Sequence, residues 1–365
     1  MDNSSPNPET RIIRYNDALP SGSLFPEQES INRRQLWANN RFHMEMENLK
    51  TGRYGNRGRH HWVELLVMIK SFEMLLHLTK QYAKGVRNAE NIVLRENHLY
   101  FSNLPPAFDG FSILHLSDLH LDGMKGLEDR ILGLLDDRTF DLCVLTGDYR
   151  TRLHGAHKHV IRGMEHLIRH ISSRNGFIGI LGNHDGCLML NPMERIGITM
   201  LVNETCMVCR GNDRIRIVGT DDVHYYYTDQ ALYALEHADQ DFSIALIHSP
   251  ELYDAAAEMG VDLYLCGHTH AGQICLPGGR AVLVHLNRGR KYYRKQWQYR
   301  NMIGITHSGI GTSGIPVRFN SRGEVLIHHL HRQKTEGQEP MEKKRVPVVT
   351  NHLCTSVFQE TEDVP

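Results

Sequence analysis

The spacing of hydrophobic residues changes character several times along the chain. Residues 1–58 are rich in Asn, Ser, Pro, Arg and Glu and show no sustained apolar periodicity, so a disordered or loosely attached extension is expected there. Across 59–90 the pattern turns helical. Trp62, Leu65, Ile69, Phe72 and Leu76 recur at helical spacing, with Glu64, Lys70, Glu73, His77 and Lys80 between them. This predicts an amphipathic helix over Trp62–Ala83, able to pack on the protein, form a dimer or lie in a membrane interface. Ile92–Leu94 and Leu99–Phe101 read as a short hairpin turned by Glu96, Asn97 and His98.

Five apolar runs follow: Phe111–Leu116, Leu142–Leu145, Phe177–Leu181, Phe242–Ile247 and Val261–Leu265. Each ends in a polar cluster, and helical stretches such as Gly126–Leu135 and Lys158–Ile171 separate them. Strand, polar loop and helix in alternation predict an α/β fold whose reactive groups gather beyond the strand ends. Ala281–His285, Met302–His307 and Glu324–His329 read as further strands. The basic, aromatic segment Arg290–Arg300 reads as a solvated loop within reach of a phosphate, and from Gln333 the chain returns to a polar tail.

Lysine plus arginine (41) nearly equals aspartate plus glutamate (42), which excludes a global basic field, so no nucleic-acid binding is expected. Seven cysteines without a framework of spacings suit a reduced compartment, and no run approaches a membrane span. Arg33-Arg34 has the look of an export signal, but Gln35, Asn39, Asn40 and Arg41 supply no apolar segment after it. A cytoplasmic protein, with peripheral contact at the inner membrane through residues 62–83, is the expectation.

Histidine is abundant, at 24 residues, and its placement matters more than its number. The strand ends carry Ser117-Asp118-Leu119-His120, Gly147-Asp148-Tyr149-Arg150, Gly182-Asn183-His184-Asp185, His248-Ser249-Pro250 and Gly267-His268-Thr269-His270. Singly each is weak; five in order, each at a strand exit, point to one assembled centre. Carboxylates and imidazoles without thiolate suit two adjacent Mn, Fe or Zn ions. Asp118-x-His120 and His268-x-His270 project to one side of an extended backbone, and Asp148, alone in its cluster, is the candidate bridge between two metals.

These clusters resemble the calcineurin-like metallophosphoesterase family over about Phe111–Leu330, within a domain bounded at 91–332. The resemblance implies a double β-sheet sandwich flanked by helices, four layers in α/β/β/α order, here with an N-terminal amphipathic helix. It implies Asp118, His120, Asp148 and His270 on one divalent ion, and Asp148, Asn183, His248 and His268 on the other. His184 would face the phosphate, its ring held by Asp185, while a metal-bound hydroxide attacks phosphorus. GHTHAGQICLP at 267–277, VGTDD at 218–222 and GIGTSGIPVRF at 309–319 are similar to a bacterial branch. That branch includes twin-arginine-exported phosphoesterases and UDP-2,3-diacylglucosamine diphosphatases, and Ala271 departs from its usual glycine. It implies a phosphate-ester substrate, such as a lipid-linked nucleotide sugar, with Arg150 and Arg318 as candidate phosphate contacts; a soluble nucleotide phosphodiesterase or phosphatase, or a non-catalytic scaffold, would keep the same fold.

Overall fold

The computed structural model describes residues 10–14, 26–54, 60–236 and 238–333. The polar tail expected beyond Gln333 and most of the first 25 residues lie outside the described residues. Two mixed sheets form the centre. One orders its strands Thr10–Arg14, Glu204–Arg210, Asp213–Gly219, Ser243–Leu246, Leu263–Cys266, Met302–Thr306 and Lys295–Tyr299. The other runs Ile198–Met200, Phe177–Gly179, Leu142–Leu145, Phe111–Leu116, Glu324–Arg332 and Val93–Phe101.

Alternate side chains from both sheets meet face to face: Phe111, Ile113, Val144 and Ile178 from one pack with Val208, Ile215, Ile244 and Leu263 from the other. Period-two alternation puts these residues inward and hands the opposite face of each strand to helices. Helices Leu127–Leu135, Lys158–His170 and Leu190–Arg195 cover the six-stranded sheet, while Gln230–Leu235 and Tyr253–Glu258 cover the seven-stranded one. The result is the α/β fold that the strand-and-helix alternation predicts, in the α/β/β/α layering that the family resemblance implies.

Several elements differ from the sequence reading. The expected disordered extension contains helix α1, Pro26–Thr51, and the strand Thr10–Arg14 pairs antiparallel with Glu204–Arg210. Polarity misleads here because α1 docks largely through ions, with only Trp37 and Met44 among the described residues packing on the core clusters: Arg34 bridges Glu194 (2.8 Å) and Glu204 (2.6 Å). The anticipated hairpin at 92–101 is one strand, Val93–Phe101, parallel to Glu324–Arg332. It lies at a sheet edge, where Glu96 reaches Arg138 and His329 instead of turning the chain. Ala281–His285 is irregular rather than a strand, and Lys295–Tyr299, read as loop, is an edge strand.

The helix over 62–83 divides. Helix α2 spans Trp62–Leu78, the chain turns where Lys80 takes φ +56°, and helix α3 spans Tyr82–Glu90. Ile69, Phe72 and Leu76 pack with Tyr82 and Val86 against Ile274, Ile315, Val317 and Phe319, so the apolar stripe faces protein. The side chains of Trp62 and Leu65 lie outside the described residues. No helix among the described residues is long and apolar enough to cross a membrane.

Candidate functional site

All five polar clusters converge beyond the strand ends, and their side chains are buried. The backbone there is not extended. Asp118, His120, Asp148, His268 and His270 have φ of 51°, 43°, 56°, 69° and 50°, the left-handed region that costs a residue with a Cβ about 1 kcal/mol or more. The paired residues 118/120 and 268/270 therefore share a centre through tight loops, not through the alternation of a strand. Loop-to-loop bonds hold the turns: the amides of Asp118 and His120 donate to the carbonyls of Gly147 and Asp148, both at 3.0 Å. Gly267 must be glycine, since a Cβ there would collide with Ser117 Oγ and the Asp118 carboxylate.

Asp148 Oδ2 lies between imidazoles from several clusters, 3.6 Å from His120 Nε2, 3.4 Å from His248 Nε2 and 4.0 Å from His184 Nε2. On one side, ligand atoms of Asp118, His120 and His270 lie within 4.8 Å of one another; on the other, those of Asp148, His248 and His268 do the same. Asn183 Oδ1 joins the second group, 3.1 Å from His248 Nε2 and 2.8 Å from His268 Nδ1. Backbone carbonyls select which ring nitrogen faces the centre. The carbonyl of Arg150 accepts from His120 Nδ1 (2.8 Å), that of Thr146 from His248 Nδ1 (2.7 Å) and that of His285 from His268 Nε2 (2.8 Å), so the other nitrogen of each ring is the one turned toward the centre.

This donor set fits divalent cations. Burial drives His120 down to about 4 and holds His268 and His270 well below their ordinary value, so these imidazoles are neutral and able to ligate. Burial also pushes Asp118 up to about 7, with the charge of Asp148 adding to it against the pull of His248. Burial likewise opposes ionisation of Asp148, but His248 and His184 overcome it and hold its carboxyl well below the ordinary range. Carboxylates packed this closely call for positive charge at the centre. Oxygen and imidazole donors, with the described cysteines elsewhere, suit divalent cations.

Three sequence-predicted contacts take different roles. Asp185 does not hold the His184 ring: His184 Nδ1 donates to the Thr151 carbonyl at 2.6 Å. The Asp185 carboxylate instead accepts the amides of Asp148 (2.8 Å), Tyr149 (3.0 Å) and Gly182 (2.9 Å), tying two site loops together. Arg150 is buried and donates to the carbonyls of His184, Leu153 and Gly155, so its fork is committed to the backbone rather than to a second phosphate. Arg318 is fully buried behind His270, donating to the carbonyls of Ser308 (2.8 Å), Gly309 (3.0 Å) and Gly311 (2.7 Å). Residues beside the site that the motifs do not flag include His224, ion-paired with Glu251 at 3.0 Å, and His285; the ring of each neighbours His268. The high histidine count is the one sequence signal that could have drawn attention to them.

Residues 111–272 match the family model described as calcineurin-like phosphoesterase. Residues 111–272 carry the calcineurin-like phosphoesterase fold, and this match, with relatives named metallophosphoesterase and phosphodiesterase, supports a metal-dependent phosphoester hydrolase. It is 25% identical to the metallophosphoesterase YkoQ of Bacillus subtilis (strain 168) over 73% of this chain and 100% of that protein. It is 26% identical to the phosphodiesterase YaeI of Escherichia coli (strain K12) over 46% of this chain and 63% of that protein. Haemophilus influenzae NAD nucleotidase (NadN) is a looser likeness, 15% identical with a TM-score of 0.37 over 55% of this chain and 45% of that one.

Proposed function

We propose that the chain hydrolyses a phosphodiester or pyrophosphate at a dinuclear centre, with Asp118, His120, Asp148 and His270 on one cation and Asp148, Asn183, His248 and His268 on the other. The observation that carries this reading is the single Asp148 oxygen lying within 3.6 Å of imidazoles from two different ligand groups, His120 and His248. When bound, two divalent cations supply Lewis acidity toward phosphoryl oxygens and bring a water's pKa toward neutrality. The protein's own residues do the orienting. Thr151 fixes the His184 ring by accepting from Nδ1, so Nε2 faces the centre, where a phosphoryl or leaving-group oxygen would take its proton. The Asp185 carboxylate and the His184 amide, which donates to Asp148 Oδ1 at 2.9 Å, keep the bridging carboxylate and Asn183 in register.

The test is turnover by manganese-, iron- or zinc-reconstituted protein on paired substrates, bis(p-nitrophenyl) phosphate against p-nitrophenyl phosphate. Diester turnover at least tenfold above monoester is expected, and absence of turnover with every metal on either substrate refutes the reading. The likeness to YaeI favours the diester.

A second reading, a lipid-linked substrate such as UDP-2,3-diacylglucosamine, is favoured by one surface. Helix α2 leaves Val67, Met68, Met74, Leu75 and Leu78 exposed, Leu78 at 73%, on the side away from its packed stripe. Aliphatic area of that kind on a solvent-facing helix suits the acyl boundary of a bilayer. Replacing Met74 and Leu78 with glutamate should abolish co-sedimentation with anionic liposomes, and unaltered partitioning removes this reading.

A further inference from the structure

Helix α1 lies upstream of the segment that matches the phosphoesterase family, yet its inner face reaches the loop bearing Asn183 and His184. Arg41 is 1% exposed. Its guanidinium donates to the carbonyl of Asp185 at 2.8 Å and lies 3.4 Å from that of Gly182, so one fork brackets the loop from Gly182 to Asp185. Asp221, just beyond the strand Asp213–Gly219, pairs with the same guanidinium, and the Tyr226 ring lies against it with 3.5 Å from Cζ to the ring centroid. One turn further along, Glu45 accepts the amide of Cys187 at 2.7 Å and pairs with Arg41 at 3.1 Å. One turn back, Trp37 donates Nε1 to Asp221 at 2.7 Å. Three successive turns of α1 thus hold both ends of the segment 182–187 and the acid that anchors it.

We propose that Arg41 is a positioning residue for this loop, so that the N-terminal helix completes the site; this rests on the roles given above to Asn183 and His184. Carbonyls fixed at Gly182 and Asp185 anchor the peptides on either side of the Asn183–His184 pair, which limits how far the His184 amide that meets Asp148 can move. A planar fork reaching two carbonyls and a carboxylate is geometry that an ammonium cannot reproduce.

The experiment uses the full chain with Arg41→Met, Arg41→Lys and, as a control on the same helix, Arg34→Ala, which loses the bridge to Glu194 and Glu204. Deuterium uptake over 182–187, melting temperature, and kcat and KM for bis(p-nitrophenyl) phosphate with manganese are measured. Arg41→Met should exchange that segment about tenfold faster or more, the scale of a lost charge-assisted hydrogen bond. Its kcat should fall about 10- to 100-fold while KM stays within about threefold, the signature of misplaced groups rather than lost binding. Arg41→Lys should restore part of both. Arg34→Ala should lower the melting temperature and leave loop exchange and kcat near wild type. Wild-type exchange in Arg41→Met, raised exchange with unchanged kcat, or equal loosening by Arg34→Ala would each overturn the proposal. Should Arg41→Met fail to fold, the exchange rate of Arg41→Lys decides: faster supports the clamp, unchanged sinks it. An inactive wild type would remove the phosphodiesterase reading, while the exchange data would still judge the clamp.

Discussion

Gly182→Ala sets two effects of opposite sign against each other. Gly182 does not occupy the left-handed region, so its backbone accepts alanine, and restricting the unfolded chain would by itself stabilise the protein by about 0.4–1 kcal/mol. The space does not accept it. A Cβ built there would sit 2.5 Å from the Asp148 amide nitrogen and 2.8 Å from His248 Cε1, and would collide outright with Asp148 Oδ1. None of those atoms can retreat freely. Asp148 Oδ1 accepts the His184 amide at 2.9 Å, the Asp148 amide donates to Asp185 at 2.8 Å, and the His248 ring is tied to the Thr146 carbonyl at 2.7 Å. Relief to an ordinary contact requires a shift of roughly 0.6–1.2 Å in the loop bearing Asn183 and His184, at about 1–3 kcal/mol for overpacking. Sterics win, for a net loss of about 1–2 kcal/mol. The same displacement should cut kcat on a diester by about 100-fold, because reacting groups tolerate misplacement of this size poorly. Urea unfolding and steady-state kinetics measure the two quantities. A variant more stable than wild type with turnover within about twofold would show that the loop yields without cost, against the packing argued here.

Asp148→Asn, measured by metal analysis and diester turnover, should lose one cation and most of its turnover while circular dichroism stays native, because a neutral amide oxygen bridges two cations far more weakly than a charged carboxylate oxygen. His184→Ala should retain both cations and lose about 10²- to 10⁴-fold in kcat, the range for removal of a positioned proton donor; loss of metal in this variant would contradict its place outside the ligand set. Buried His115, His307 and His328 make the fold acid-sensitive. Burial lowers all three, the latter two to about 3, so the unfolded chain takes up protons below 6.5 that the folded chain refuses. Stability is full above 6.5 and falls as pH drops toward 3, by about 1.4 kcal/mol per pH unit for each imidazole. His328→Gln should reduce the urea-derived slope between pH 6 and 4 by about that amount, and an unchanged slope would mean that this ring protonates in place.

The ligand clusters were legible because the chemistry requires particular residue types and strand exits fix their order; Asp118, His120, Asp148, Asn183, His248, His268 and His270 do meet. The α/β pattern was legible for a related reason, since strands such as Leu142–Leu145 and Leu263–Cys266 are buried on both faces and read as unbroken apolar runs, while the pairing of two sheets came only from the family resemblance. Positions that hold those residues in place were not. Arg150 and Arg318 carry the side chain expected of a phosphate contact, and nothing in their neighbours reveals that each guanidinium donates to backbone carbonyls inside the fold. Asp185 was placed on the wrong partner because proximity in sequence to His184 outweighs, in a linear reading, the amides of Asp148 and Tyr149 that only folding supplies. Helix α1 went unseen for the same reason: its contacts are ionic and distant, as with Arg41 and Asp221, and leave no periodic apolar trace.

The left-handed turns at five ligand positions belong with these hidden terms. Glycine would remove that backbone cost but would also remove the ligand, so each such turn carries strain that the surroundings must offset. The offset is visible around Asp118, where the Gly311 amide donates to its carbonyl at 2.8 Å and the His268 amide to its carboxylate at 3.0 Å. Loops from opposite sheets therefore stabilise each other only when all are in place. That is why the centre is built where the C-terminal ends of strands from two packed sheets meet: a single loop at the end of one strand has no partner to hold it in a conformation its own residues disfavour.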